Sequence, residues 1–170
     1  MKFNKRILFC IVATLVIMLQ MNHTVSAATK STKSEVTYTS KDVKLLACLI
    51  YTEAGNQSYK GKVAVGNVVL NRMNSSKFSH VNTIKEVIYD RKWSVQFGVT
   101  VGGSKSPLAK ALKNYNDIKT TETMKSCIKA AKAALSGKNV IDSRLYFTGY
   151  SRSLAKRHPN YVKIGAHIFY

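Results

Sequence analysis

Acidic side chains are scarce in this chain, which has 8 aspartate and glutamate residues against 27 lysine and arginine residues. The formal net charge of +19 over 170 residues indicates an anionic polymer as the surroundings or the substrate. Nucleic acid fits that charge but not the export signal at the N-terminus, so we expect no nucleic-acid partner. Because carboxylates are so few, each one can be considered by itself as a catalytic group.

Histidine and cysteine are also rare, with 4 and 3 residues. His80, His158 and His167 are too scattered to give a metal-ligand spacing, which argues against a zinc peptidase or amidase. We therefore expect no metal and no organic cofactor. Cys48 and Cys127 fall within predicted helices, where they either pair as a disulfide or remain buried thiols.

The one apolar run that approaches the length of a membrane span lies in residues 1–27. Three basic residues precede the run 7–21, and Val25-Ser26-Ala27 follows it, which is typical of a secretory signal peptide. A retained N-terminal anchor is the alternative. Cleavage would remove three basic residues and no acidic ones, leaving a net charge of +16. We expect a secreted protein with no stable membrane insertion after cleavage.

The rest of the chain is long enough for one domain with its own core. Residues 28–40 are small and polar and predict a flexible leader, so a single domain is expected over residues 41–170. Capping residues, with Ser40 as the first N-cap, and apolar periodicity predict helices at about 41–54, 59–73, 84–89, 107–115 and 121–136.

The end of the chain changes character. β-Branched and aromatic residues predict one strand at 144–148 and a second at 161–170, with Gly165 at a bend or bulge and a basic loop between the strands. The predicted fold class is α+β, a mainly helical core with a small C-terminal antiparallel sheet.

Glu53 is the carboxylate whose position is hardest to explain as a surface residue. On a helical wheel that starts at Leu45, the residues Leu49, Leu46 and Ile50 lie at about 40°, 100° and 140°, and Glu53 lies at about 80°. A carboxyl on this apolar face loses solvation, which raises its pKa toward the range useful for a general acid. The alternative is a glutamate that extends into water from the last turn of the helix.

Six further residues are candidates for substrate binding. Asn71 lies on the apolar stripe of the second helix, where its amide either orients Glu53 or a sugar acetamido group, or ties two elements together. The segment around Trp93 predicts an aromatic platform for a sugar ring, or else an ordinary aromatic plug. The candidates are Asn71, Trp93, Gln96, Phe97, Tyr146 and His167, although His167 is more typical of a structural histidine.

Lys125, Lys129 and Lys132 share one face of the last predicted helix. They form either a solvated lysine face or a track for an anionic polymer. The solvated face is the more common arrangement.

These residues occur in an order that is similar to a known family. Tyr51-Thr52-Glu53-Ala54, the segment 59–72 that ends Leu70-Asn71-Arg72, and the final segment 162–170 resemble the catalytic domain of spore cortex-lytic cell-wall hydrolases. Val87-Ile88-Tyr89 and the aromatic segment after it also fit. The resemblance covers roughly residues 42–170.

The resemblance implies a lysozyme-like fold and cleavage of the β-1,4 bond between N-acetylmuramic acid, or muramic lactam, and N-acetylglucosamine. It further implies a lytic transglycosylase with a single catalytic glutamate, which maps to Glu53. The expected partners are peptidoglycan glycan strands and anionic wall polymers. The expected protein is a monomer located outside the cell, in the cell wall or the spore envelope.

Two alternatives remain open at this stage. A hydrolytic muramidase would need a second carboxylate at about 5–5.5 Å or about 6.5–9.5 Å from the first. Asp42 lies about 16 Å from Glu53 along a helix and is too far, whereas Asp90 and Glu86 could approach through folding. A non-catalytic wall-binding protein is the other alternative, although it would gain nothing from a desolvated acid.

Overall fold

Helix α1, Ser40–Ala54, opens the part of the chain that the computed structural model describes, residues 37–170. The predicted signal peptide 1–27 and the leader up to residue 36 lie outside the described residues. Thr39 is the N-cap of α1, since its hydroxyl accepts a hydrogen bond from the Asp42 N–H and the Asp42 carboxylate accepts one from the Thr39 N–H. The cap lies one residue before the predicted Ser40, because this reciprocal pair forms only from Thr39.

The other helices of residues 37–170 follow the predicted order with two additions. They are α2 (Tyr59–Met73), α3 (Ile84–Tyr89), α4 (Pro107–Lys113), α5 (Tyr115–Ile118), α6 (Glu122–Leu135) and α7 (Arg152–Arg157). Short 3-10 turns occur at Ser76–Phe78, Gly98–Thr100 and Gly103–Lys105. The helix predicted to reach Tyr115 ends at Lys113, and the chain resumes as the separate turn α5 after Asn114.

Helix α2 is buried over all residues from 61 to 69, as its apolar circumference predicts. It packs against α6, and the two helices approach closely at Gly66. A Cβ added to Gly66 would lie 3.1 Å from the Cβ of Ala134, which is closer than two side chains normally pack. Glycine therefore suits the point where α6 crosses α2, since an added Cβ would require Ala134 to shift.

A three-stranded sheet closes the domain, with strands β1 (Phe147–Gly149), β2 (Val162–Ile164) and β3 (His167–Phe169) in the order β1-β3-β2. Both pairings are antiparallel. The prediction of one strand over 161–170 is wrong, because Gly165 takes a φ of +60° in a two-residue turn that reverses the chain between β2 and β3. The predicted basic loop contains α7, whose N-cap Ser151 accepts a hydrogen bond from the Leu154 N–H.

The core lies between α1, α2 and α6, and both cysteines of the described region belong to it. Cys48 and Cys127 are fully buried free thiols, so the disulfide alternative is not realised. Burial raises the pKa of each thiol to about 11, which keeps it protonated and unreactive. Residues Thr37–Tyr170 form one compact unit, and no helix within it is both long and apolar enough to cross a bilayer.

Candidate active site

Glu53 lies in the last turn of α1 and is half-buried. The helix residues 46–50 are fully buried, and so is Ala54, the residue after it. Burial raises the pKa of the Glu53 carboxyl above its ordinary value, and the backbone N–H of Val99 partly offsets that rise. The expected shift of the pKa is confirmed, and the alternative of a freely solvated glutamate is wrong.

The 3-10 turn Gly98–Thr100 places the Val99 amide beside Glu53. Hydrogen bonds fix the turn internally, since the Thr100 hydroxyl donates to the Phe97 carbonyl at 2.6 Å and accepts from the Arg91 guanidinium. The loop therefore presents a backbone donor to the carboxyl. A single N–H can stabilise the ionised form when the proton leaves, while burial stabilises the protonated form.

Gln57, one turn after Glu53, ties this end of α1 to the sheet. Its Oε1 accepts a hydrogen bond from the Ala166 N–H, in the β2–β3 turn, at 3.1 Å. His167 follows immediately in β3, where burial lowers the pKa of its imidazole. The His167 Nδ1 is buried and has no hydrogen-bond partner among residues 37–170. Sequence analysis missed Gln57, because a glutamine in a polar turn gives no sign of a contact so far along the chain.

Asn71 is fully engaged within the fold. Its Nδ2 donates to the carbonyls of Asp142 and Arg144 at 2.6 and 2.8 Å, and its Oδ1 accepts from the Asn139 side chain at 3.0 Å. These bonds hold the segment before β1 against α2. Both N–H groups of the amide are used, which favours the alternative of a tie between two elements, and contact of Asn71 with substrate stays a prediction.

The aromatic segment after α3 separates into exposed and buried parts. Trp93 is 53% exposed, with its ring edge-on to Phe78 at 5.4 Å and to His80 at 4.9 Å. Phe97 is only 1% exposed, so the predicted sugar contact is wrong for this residue and the plug alternative is right. The Gln96 amide donates to a carbonyl of its own loop at 3.1 Å. Of the three candidates in this segment, Trp93 keeps a ring that a sugar could reach.

Arg72 organises the aromatic side chains, and sequence analysis did not identify it as important. The side chain is 3% exposed, and its guanidinium lies 5.1 to 5.3 Å from the ring centroids of Phe78, Phe97 and Tyr146. Its Nε donates to the Leu145 carbonyl at 2.7 Å. Burial lowers the pKa of Arg72 to about 10. The positive charge therefore stays in the interior, held by rings and one carbonyl.

Tyr146 belongs to the same cluster. Besides Arg72, its ring meets the Lys77 ammonium at 5.0 Å and stacks on Tyr170 at 5.7 Å. These contacts explain its position by packing. Contact of Tyr146 with substrate stays a prediction, and so does that of His167.

Asp90 is the candidate for the second carboxylate of a hydrolytic mechanism, and both of its oxygens already contact other groups of the protein. Its Oδ1 accepts from the Lys92 N–H at 2.9 Å, and its Oδ2 lies 3.0 Å from the His80 Nε2. Burial acts to raise the pKa of Asp90, but the Lys92 N–H and His80 outweigh it, and the pKa lies below its ordinary value. Asp90 is thus an ionised structural acid.

The other carboxylates of residues 37–170 also have assignments that do not involve Glu53. Asp42 and Glu86 complete capping boxes, Glu122 and Asp142 pair with Lys125 and Arg144 at 2.8 Å each, and Asp117 stands in the first turn of α5. Within the same range, no three histidine, cysteine or acidic side chains gather into a group that could hold a metal ion.

Comparison with known proteins adds an independent line of argument. A spore cortex-lytic enzyme of Bacillus cereus is 30% identical over 135 residues, which are 78% of this chain and 45% of that protein. Because the aligned segment covers 78% of this chain, it includes Glu53 whatever its first residue is. The cell wall hydrolase CwlJ of Bacillus subtilis is 43% identical over 53 residues, 30% of this chain and 37% of that protein. The chain spans about half the length of the curated relatives it matches first.

Two solved structures share the fold. The catalytic domain of the germination-specific lytic transglycosylase SleB from Bacillus anthracis aligns with a TM-score of 0.51 and 26% identity, covering 78% of this chain and 95% of that one. The catalytic domain of Bacillus cereus SleB gives a TM-score of 0.50 and 26% identity, with 79% and 92% covered. The predicted mainly helical fold with a small antiparallel sheet is confirmed.

The family model described as Cell Wall Hydrolase matches residues 56–170, beginning three residues after Glu53. The resemblance inferred from the sequence is thereby confirmed. The chain shares its fold with the SleB catalytic domains, a relative aligns with it across Glu53, and the family model matches more than half of its residues. The chain therefore belongs to the cell wall hydrolase family.

Proposed function

We propose that this chain cleaves the β-1,4 bond between N-acetylmuramic acid, or muramic lactam, and N-acetylglucosamine in peptidoglycan, as a lytic transglycosylase in which Glu53 is the catalytic residue. The observation that carries the proposal is the position of Glu53, half-buried at the end of an apolar helix with one backbone donor beside it. The fold shared with a lytic transglycosylase catalytic domain supports it.

The chemistry requires one carboxyl that gives a proton and then takes one back. Glu53 first donates its proton to the glycosidic oxygen, which leaves as the C4 hydroxyl of N-acetylglucosamine. The C6 hydroxyl of the muramyl residue then bonds to the anomeric carbon and releases its proton to Glu53. The product carries a 1,6-anhydro ring, no water is consumed, and the carboxyl returns to its starting state.

The surroundings of Glu53 suit both steps. A raised pKa keeps the carboxyl protonated nearer to neutral pH, so that it can act as the acid. The Val99 N–H stabilises the carboxylate that exists between the two proton transfers. The hydrolytic alternative needs a second free carboxylate, whereas Asp90 is committed to His80 and the Lys92 N–H.

The location and the partners are proposed on the sequence and the family. The chain is secreted and works as a monomer on glycan strands, in the cell wall or the spore envelope, among anionic wall polymers. A non-catalytic binder is disfavoured, because it would not need a desolvated carboxyl at the end of α1.

The masses of the products test this proposal. Purified peptidoglycan is digested with the protein, a muramidase of known hydrolytic action serves as the reference, and the fragments are weighed. Muramyl ends lighter by one water than those of the reference support transglycosylation. Reducing ends of equal mass would show hydrolysis instead, and the absence of any new ends would show a binder.

A further inference from the structure

A group of lysines lies where α2, α6 and the segment after α6 meet, and two of them approach the ring of Tyr59. The ammonium groups of Lys129 and Lys138 lie 5.7 and 5.4 Å from the centre of the Tyr59 ring. Lys125 and Lys132 occupy the same face of α6 as Lys129, one turn away on either side. Lys62 of α2 lies beside these residues, since its ammonium donates to Ser126 of α6. We call this group the lysine surface; it consists of Tyr59, Lys62, Lys125, Lys129, Lys132 and Lys138.

The fold fixes part of this surface in place. The buried amide of Asn67 donates to the Lys138 carbonyl at 2.7 Å and accepts from the Val140 N–H at 2.9 Å, which fastens the segment after α6 to α2. Lys62 is only 7% exposed, and its ammonium donates to the Ser126 hydroxyl at 3.2 Å. An ammonium held in this position attracts negative charge, either from carboxylates of the protein or from an anion outside it.

The protein itself supplies little of that negative charge. Among residues 37–170, carboxylates lie within ion-pair distance of one lysine and one arginine, in the pairs Glu122–Lys125 and Asp142–Arg144. Lys125 is therefore the one member of the lysine surface that has an acidic partner in the described part of the chain, and the Glu122 side chain of that pair is 90% exposed. Of the other four lysines, Lys62 is buried, and the exposed Lys129, Lys132 and Lys138 present a positive charge with no carboxylate partner among residues 37–170.

The side chains indicate which anion fits. All the cations of the surface are lysines, whose compact ammonium binds phosphate as a point charge. Converging ammonium groups suit the successive phosphates of a chain. The Tyr59 ring already meets two ammonium groups, so it is not free to stack on a nucleobase as nucleic-acid surfaces require.

We propose that the lysine surface binds a flexible phosphodiester polymer without bases, of the poly(glycerol phosphate) type. This contact is independent of the reaction at Glu53, which is not part of the surface. Its physical basis is the release of counterions from the polymer, so its affinity falls steeply as salt increases.

Two triple variants with the same change in net charge test the proposal. Lys129→Gln/Lys132→Gln/Lys138→Gln removes exposed lysines of the surface, and Lys105→Gln/Lys110→Gln/Lys113→Gln removes exposed lysines near and within α4. Binding of labelled poly(glycerol phosphate) is measured for both variants and the wild type over a range of salt concentrations. A single-stranded oligonucleotide with equal phosphate content is measured in parallel, and thermal unfolding checks that both variants fold.

The surface variant is expected to bind poly(glycerol phosphate) about tenfold more weakly than the wild type. Each lost phosphate contact lowers the slope of log K against log salt by about 0.7, so the loss of three contacts should make the plot shallower by about 2. The α4 variant should stay close to the wild type. Equal weakening of both variants would reduce the effect to net charge and overturn the proposal, as would a wild type that does not bind at low salt. Tighter binding of the oligonucleotide would overturn the assigned polymer.

Discussion

Gln57 and Ala166 are 109 residues apart, yet the Gln57 Oε1 accepts a hydrogen bond from the Ala166 N–H at 3.1 Å. The contact joins the end of α1, which carries Glu53, to the turn between β2 and β3. A Cβ added to Gly165 would lie 2.5 Å from the same Gln57 oxygen. The end of α1 that carries Glu53 is therefore coupled to a turn whose φ of +60° at Gly165 favours glycine.

Replacement of Gly165 by alanine tests this coupling. Gly165→Ala places a Cβ at a φ of +60° and against Gln57, so we expect a loss of about 1–2 kcal/mol in the free energy of unfolding, together with a loss of activity on peptidoglycan. Gly149→Ala is the matched control in the same sheet, since an added Cβ there meets nothing within 4 Å. Equal urea-unfolding curves and equal activity for the two variants would contradict the coupling.

Asp90 gives a prediction about acid stability. Because its pKa in the folded state is lowered, its contribution to stability is complete above the unfolded value of about 3.9 and disappears as the pH falls through the lower folded value. Asp90→Asn should therefore cost about 1 kcal/mol at neutral pH and nothing in strong acid. The products should keep their 1,6-anhydro ends. A variant that folds but releases no fragments would instead assign Asp90 to catalysis.

Arg72 gives a prediction about the buried cluster. Arg72→Lys keeps the charge but loses the planar contact with three rings and leaves the Leu145 carbonyl without its donor, so we expect a cost of about 2–3 kcal/mol. Arg152→Lys, at an exposed position in α7, should change the free energy of unfolding by less than about 0.5 kcal/mol. Similar unfolding midpoints for the two variants would show that the guanidinium geometry of Arg72 is unimportant.

Helices could be predicted closely because their signals are local. The bounds of α2 and the capping box at Thr83 follow from residues within one or two turns of each other. The β2–β3 hairpin is not predicted, because strands of three residues are too short to show alternation and a glycine between them also fits a bend or bulge within one strand. Helix α7 was hidden by the basic composition of its segment.

The residues of the candidate site also divide into those that local sequence predicts and those that depend on distant segments. The position of Glu53 on an apolar face is a property of one helix, so its raised pKa could be predicted. The burial of Phe97 and the engagement of Asn71 depend on segments that fold against them from far along the chain. Arg72 was overlooked, because charged residues are rarely fully buried and nothing local indicates the rings around it.

Glu53 should make stability fall as the pH rises. Its folded-state pKa is raised, so the folded protein keeps the proton at pH values where the unfolded chain, with an ordinary pKa of about 4.3, has released it. The free energy of unfolding therefore falls as the pH rises from about 4.3, and it stops falling once the pH exceeds the pKa of Glu53 in the folded state. Glu53→Gln should match the wild type in unfolding free energy at about pH 4 and exceed it at about pH 8. A difference that does not change with pH would contradict the shift.

The most direct measurement is the rate at which Glu53→Gln releases 1,6-anhydro fragments from purified peptidoglycan. Glu122→Gln, the same substitution at an exposed position in α6, is the control. We expect Glu53→Gln to unfold cooperatively like the wild type and to lose activity by about 10²- to 10⁴-fold, while Glu122→Gln keeps it. A folded Glu53→Gln protein that releases these fragments at the wild-type rate would contradict the account.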